Sequence, residues 1–220
     1  MPIGEVLLIG GLAVLGGALG GTAVPAWASV SLRGDARLGI RARIIAAAAT
    51  ALAFGLLGWS IGLDWLLPAA LALAFVGVAV SAVDLLEQRI PNRMLLVGSP
   101  TVALLLFGGL ALHGAWLAML WVLAGAAAMF ALYLLLALLA PNSMGMGDVK
   151  LAALLGGVLG ALGLTPWLLG LMAAFLIGGI AAVVSLIAGR AGWRSNIPFG
   201  PWMVAGALAA IVVTGRSTLV

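Results

Sequence analysis

The chain has few of the residues that soluble proteins place on their surfaces. Only 7% of its 220 residues are charged, whereas 65% are hydrophobic, and its mean hydropathy is +1.31. A soluble domain of this size could not cover its core with so little polar surface, so the composition predicts an integral membrane protein of many spans. No short basic and apolar leader precedes a polar domain, and we expect the first apolar run to be a retained span.

Two further shortages limit the chemistry. Cysteine is absent, and His113 is the single histidine. Disulfides, thiolate zinc sites and histidine-rich metal clusters are therefore excluded, and we expect neither a metal nor an organic cofactor. The sequence pI is about 11.2, but the net charge is only +4. The basic residues fit a membrane topology better than a binding patch, so we expect the lipid bilayer, and no nucleic acid, as a partner.

The apolar residues fall into about eight segments, each close to the roughly 20 residues that a helix needs to cross a bilayer. They cover residues 5–30, 42–62, 65–86, 94–112, 115–140, 149–163, 166–188 and 199–214. The predicted fold is all-α, a single membrane domain over 1–220 with two N-terminal spans (1–64) and a six-span core (65–214). Glycine clusters at 16–21 and 156–160 are interpreted as positions where helices pack closely.

The basic residues orient these spans. With an even number of spans, nine of the ten basic residues fall on one face of the membrane, and only Arg216 falls on the other. The nine are Arg33, Arg37, Arg41, Arg43, Arg89, Arg93, Lys150, Arg190 and Arg194. The positive-inside rule predicts that their face is cytoplasmic and that both termini lie outside.

Asp84 and Asp148 stand out among only six acidic residues. The predicted spans place both at the same depth on the cytoplasmic side, and an ionisable group inside a membrane indicates a functional site. Gly145 and Gly147 leave space beside Asp148 for a substrate backbone. Taken singly, each aspartate has a simpler interpretation: Asp84 could pair with a neighbouring arginine, and Asp148 could be a solvated residue at a helix N-terminus.

Three motifs in order resemble those of the type IV prepilin peptidases, which are aspartic membrane proteases of the Gly-x-Gly-Asp class. They are Asp84 with Pro91-Asn92, Gly-x-Gly-Asp-Val-Lys-Leu at 145–151, and Ile-Pro-Phe-Gly-Pro at 197–201. The resemblance implies that Asp84 and Asp148 are a catalytic dyad sharing one proton. It implies a prepilin or pseudopilin substrate, cut at the cytoplasmic face of the plasma membrane. The expected substrate-binding residues are Gly145, Gly147, Glu87 and Lys150.

The sequence departs from the larger members of that family in one respect. Those members carry a cytoplasmic insert with two Cys-x-x-Cys pairs after the first span and also methylate the new N-terminus. This chain has no cysteine and only a short loop there, so we do not expect methyl transfer. Two other functions stay open: an ion- or proton-coupled transporter that uses the paired aspartates, and a non-catalytic assembly factor whose carboxylates pair with Arg89 or Lys150.

Overall fold

The computed structural model describes residues 2–33, 37–139, 144–189 and 198–218. All regular structure within these ranges is helical. The helices are α1 (Ile3–Ser31), α2 (Ile40–Ile61), α3 (Leu66–Glu87), α4 (Asn92–Leu112), α5 (Trp116–Leu139), α6 (Met146–Leu162), α7 (Leu164–Ile187) and α8 (Gly200–Thr218). This order confirms the predicted all-α fold with about eight helices.

Six of these helices are long and apolar enough to cross a membrane, which agrees with a multi-pass membrane protein. The other two are shorter: α6 has 17 residues, and the apolar part of α8 is Gly200–Gly215. A helix of 17 residues is about 25 Å long and sits at the lower limit for a span. The division of the chain into an N-terminal pair and a six-span core stays a prediction.

Helix α6 begins before the predicted position. The apolar run suggested a start at residue 149, but the helix begins at Met146 because its first turn is capped. The Asp148 carboxylate accepts a hydrogen bond from the Gly145 amide at 3.0 Å, which satisfies one amide left unpaired at the helix start. Polar capping residues therefore belong to the helix although hydropathy excludes them.

Helix α3 lies at the centre of the bundle and packs against α1, α2, α4 and α8. Among the six long helices it has the largest buried share. Its sequence is apolar on all sides, as expected for a helix enclosed by others. Asp84 belongs to this central helix, so its carboxylate is enclosed by protein rather than exposed to lipid.

Glycines allow the closest helix contacts, as predicted. A Cβ atom added to Gly156 would lie 2.5 Å from the carbonyl oxygen of Gly125, so α5 and α6 can meet only without side chains there. A Cβ on Gly16 would likewise lie 2.6 Å from the carbonyl oxygen of Thr50, between α1 and α2. Small residues at such crossings allow helices in lipid to gain packing contacts.

One end of the bundle collects the ends of α1 and α3 and the starts of α4, α6 and α8. The Arg89 Nη2 atom donates to the Ser31 carbonyl at 3.1 Å, and Lys150 Nζ donates to Asn92 Oδ1 at 2.8 Å. We call it the basic end, because Arg33, Arg89, Arg93 and Lys150 lie there. At the opposite end the ring of His113 lies 6.3 Å from that of Trp65. Arg190, Arg194 and the motif residue Ile197 lie outside the described residues.

Candidate active site

Asp84 lies in the last turn of α3 and is only 3% exposed. Its Oδ2 atom accepts a hydrogen bond from the backbone amide of Gly200 at 3.1 Å. A buried carboxylate is costly without such a partner, and Gly200 is the first residue of α8, where helix amides favour negative charge. The start of α8 therefore holds the Asp84 carboxylate in place.

Sequence reasoning did not find this role of Gly200. The Ile-Pro-Phe-Gly-Pro motif at 197–201 contains no catalytic side chain, so the sequence does not indicate this contact. The signal that could have revealed the contact is the glycine itself, between Phe199 and Pro201 at a helix N-terminus. Backbone amides at such a position lack partners within the helix and bind anions.

Asp148 lies in the first turn of α6 and is half-buried. While its Oδ2 atom accepts the Gly145 amide, its Oδ1 atom is buried and has no hydrogen-bond partner among the described residues. Buried polar atoms without a partner are uncommon and call for an explanation. A substrate, a water molecule or a proton shared with a second carboxylate would supply a partner for Oδ1.

Ile90 lies between the start of α6, which carries Asp148, and the start of α8, whose first amide holds Asp84. A Cβ atom on Gly147 would lie 2.7 Å from Ile90 Cβ, and one on Gly200 would lie 3.2 Å from Ile90 Cδ1. The starts of α6 and α8 thus both pack against the Ile90 side chain. The two carboxylates are near enough to interact electrostatically. The fold therefore brings together Asp84 and Asp148, which are 64 residues apart in sequence.

An aromatic cluster lies beside the aspartates. The ring of Tyr133 lies 5.8 Å from that of Phe175 and 6.3 Å from that of Phe199, while Phe175 and Phe199 are 5.4 Å apart. Tyr133 is 1% exposed and lies within electrostatic range of the Asp148 carboxylate. These rings make one side of the site apolar. The sequence analysis does not assign Tyr133 to the site. The signal that could have indicated it is that Tyr133 is the single tyrosine of an apolar chain.

The other predicted site residues occupy different positions around the pair. Gly145 and Gly147 both lie within three residues before Asp148 at the start of α6. Glu87 is turned toward α1: its Oε1 atom accepts the Arg33 amide at 2.6 Å and its Oε2 atom pairs with Arg89.

Lys150 is exposed and bonded to Asn92 at the start of α4, so it joins α6 to α4. The assignment of these four residues, Gly145, Gly147, Glu87 and Lys150, to substrate binding stays a prediction. Among the described residues, no cluster of three or more histidine, cysteine or acidic side chains could hold a metal ion. The prediction of a metal-free site concerns the whole chain and is tested only by experiment.

The fold and the site together define a class of protein. The chain is a polytopic membrane protein with a candidate site formed by two neighbouring carboxylates at one end of the helical bundle. The model of the type IV leader peptidase family matches residues 70–186, which include both aspartates and more than half of the chain. The chain belongs to this peptidase family, which confirms the resemblance seen in its motifs.

One curated relative gives a finer comparison. The chain is 30% identical over 161 residues to the prepilin leader peptidase/N-methyltransferase of Bacillus subtilis (strain 168). The match covers 73% of this chain and 62% of the relative, so the chain spans about three fifths of that protein's length. No solved structure matches the chain.

Proposed function

We propose that the chain is an intramembrane aspartic endopeptidase that removes the basic leader of type IV prepilins or prepilin-like proteins. The observation that carries the proposal is the pairing of Asp84 and Asp148 at the basic end. The start of α6, which carries Asp148, and the start of α8, which holds Asp84, both contact Ile90. Membership of the type IV leader peptidase family supports the reaction class and the kind of substrate.

The arrangement suits a mechanism in which two carboxylates share one proton. One carboxylate takes a proton from the attacking water, and the other, protonated, polarises the scissile carbonyl. The shared proton belongs to the pair rather than to either residue. Asp84 is fixed by the Gly200 amide, whereas Asp148 is more exposed and has one oxygen without a partner among the described residues. Asp148 is therefore the side from which water and substrate reach the pair.

We further propose that the site faces the cytoplasm and that the protein lies in the plasma membrane. Both aspartates are at the basic end, together with Arg33, Arg89 and Lys150. The positive-inside rule assigns that end to the cytoplasm. A leader rich in basic residues would remain on the same side, so the enzyme would cut it without moving charge across the bilayer.

Two observations favour a peptidase over the other functions. The aspartates lie in the last turn of α3 and the first turn of α6, whereas transporter sites lie near the bilayer midplane. In addition, the described ion pair of Arg89 is with Glu87, and Lys150 is bonded to Asn92. Neither cation forms the pair with Asp84 or Asp148 that a purely structural role for these carboxylates would require.

We also propose that this chain does not methylate its product. The curated relative carries both names, peptidase and N-methyltransferase. Here only residues 32–39 connect α1 to α2, and the chain has no cysteine with which to organise a zinc-bound insert. The short loop leaves no room for a cofactor-binding domain at that position.

A reconstituted reaction tests the proposal. The purified chain is mixed with a prepilin-type substrate, a basic leader followed by an apolar stem, with and without S-adenosylmethionine. We expect one cut between leader and stem and an unmethylated product, both read by mass spectrometry. An intact substrate, together with proton uptake by liposomes that contain the protein, would support the transporter instead. A product heavier by one methyl group would refute the claim of a pure peptidase.

A further inference from the structure

A polar cavity lies between α1 and α2, formed by residues that the proposed reaction does not use. Its volume is about 300 Å³, which is large enough for a small polar ligand. It is lined by Thr22, Pro25, Ala26, Ser29, Arg37, Leu38 and Arg43. The C-terminal part of α1 and the start of α2 form its walls, so the cavity opens near the basic end of the bundle.

The sequence builds part of this cavity through a proline. Pro25 lies inside α1 and has no N–H group, so the carbonyl of Gly21 lacks its usual helical donor. Arg43 Nη2 supplies a donor to that carbonyl at 3.3 Å. This bond fixes one guanidinium beside the cavity while its other N–H groups stay available, because arginine has five donors.

The positive charge of the cavity is not neutralised by a carboxylate among the described residues that line it. Arg37 and Arg43 both have exposed side chains, and no carboxylate of the described residues lines the cavity. A guanidinium at the cytoplasmic edge of a bilayer is attracted to anionic lipid headgroups. Arginine is well suited to phosphate, which it can bind through two parallel hydrogen bonds.

The hydroxyl groups of the cavity complement such a ligand. Thr22 Oγ1 donates to the Ala18 carbonyl at 2.6 Å, and Ser29 Oγ donates to the Ala26 carbonyl at 2.7 Å. Since both hydrogens are used within α1, these oxygens face the cavity as acceptors. The lining thus offers donors from the arginines and acceptors from the hydroxyls, which matches an anionic headgroup that also carries hydroxyl groups.

We propose that this cavity binds the phosphate of an anionic phospholipid headgroup, with Arg37 and Arg43 as its ligands. Basic cavities between membrane helices near the cytoplasmic side are suited to such headgroups. Ile44 and Val30 follow Arg43 and Ser29 in the sequence, and they are 61% and 74% exposed. Exposed apolar side chains on α1 and α2 would contact acyl chains in a bilayer, which a free phosphate ion would not use.

Lipid binding to the purified full chain tests this proposal. Phosphatidylglycerol, phosphatidylcholine or inorganic phosphate is titrated in detergent, and bound lipid is counted by native mass spectrometry beside the thermal unfolding midpoint. We expect saturable binding and a higher midpoint with phosphatidylglycerol alone. Arg37→Gln and Arg43→Gln should each weaken binding about fivefold, the effect of about 1 kcal/mol per basic residue at an anionic surface.

Arg93→Gln is the matched control, because it removes an exposed arginine from the same end outside the cavity. It should leave the affinity unchanged. Equal weakening by Arg37→Gln and Arg93→Gln would overturn the proposal and indicate diffuse surface charge. Saturation by inorganic phosphate alone would overturn the assignment to a lipid. Because Arg43→Gln also removes the donor to Gly21, Arg37→Gln decides the result if the Arg43 variant fails to fold.

Discussion

At the scale of single residues, the position of Asp84 depends on the absence of a side chain at Gly200. A Cβ atom there would lie 2.8 Å from Asp84 Oδ2 and 3.2 Å from Ile90 Cδ1. We therefore predict that Gly200→Ala displaces the carboxylate and lowers cleavage about 100-fold, the cost of a displacement of about 1 Å at a reacting group. Initial rates on a prepilin-type substrate measure the effect.

Gly179→Ala is the control for that substitution. It places the same methyl group in α7, where nothing lies within 4 Å. It should retain the activity of the unaltered chain. Full activity of Gly200→Ala would contradict the claim that the position of Asp84 depends on the absence of a side chain at Gly200.

The two aspartates were predictable at this scale, but the groups that hold them were not. An acidic residue in an apolar span is conspicuous because its burial is costly, so Asp84 and Asp148 could be found from sequence alone. Gly200 acts through its backbone amide and Ile90 through packing, and both roles depend on which helices meet. Tyr133 lies in another helix, and only the packed bundle brings it near Asp148.

At the scale of helices, the contact between α5 and α6 depends on which glycines face the neighbouring helix. A Cβ on Gly156 would overlap Met129 and the carbonyl oxygen of Gly125. A Cβ on the adjacent Gly157 would make ordinary contacts of 3.5 Å with Ala126 and Val122. We predict that Gly156→Ala destabilises the protein by about 1–3 kcal/mol, a typical cost of overpacking.

Gly157→Ala is the matched control one residue away in the same helix. It should be neutral or stabilise slightly, since alanine restricts the unfolded chain. Thermal unfolding in one detergent, followed by circular dichroism, compares the two variants. Equal midpoints would show that the α5–α6 contact is looser than described.

The helices themselves followed from hydropathy, because each span needs a continuous apolar run. The starts of the helices did not follow from hydropathy, because capping by polar groups and prolines decides where a helix begins. Met146 opens α6 because Asp148 caps the Gly145 amide, and Pro91 precedes the first residue of α4. The mean hydropathy of a run of residues does not reveal such local hydrogen bonds.

At the scale of the whole molecule, the topology predicts opposite exposure of the two ends. The chain lacks cysteine, so single cysteines can serve as reporters without further changes. We expect Gln88→Cys, between α3 and α4 at the basic end, to react with an impermeant thiol reagent only in inside-out vesicles. His113→Cys, at the opposite end, should react only in intact cells. The reverse pattern would invert the proposed orientation.

The account depends most on the two aspartates acting together, and their conservative substitution tests it most directly. Asp84→Asn and Asp148→Asn keep the size of the side chain but remove its charge, and each should lower cleavage of a prepilin-type substrate by about 100-fold or more. Asp64→Asn, which alters an aspartate bonded to the Leu66 amide at the opposite end, should leave cleavage unchanged. Folding of every variant is checked by its unfolding midpoint. Substantial cleavage by a folded Asp84→Asn or Asp148→Asn enzyme would contradict the proposed dyad.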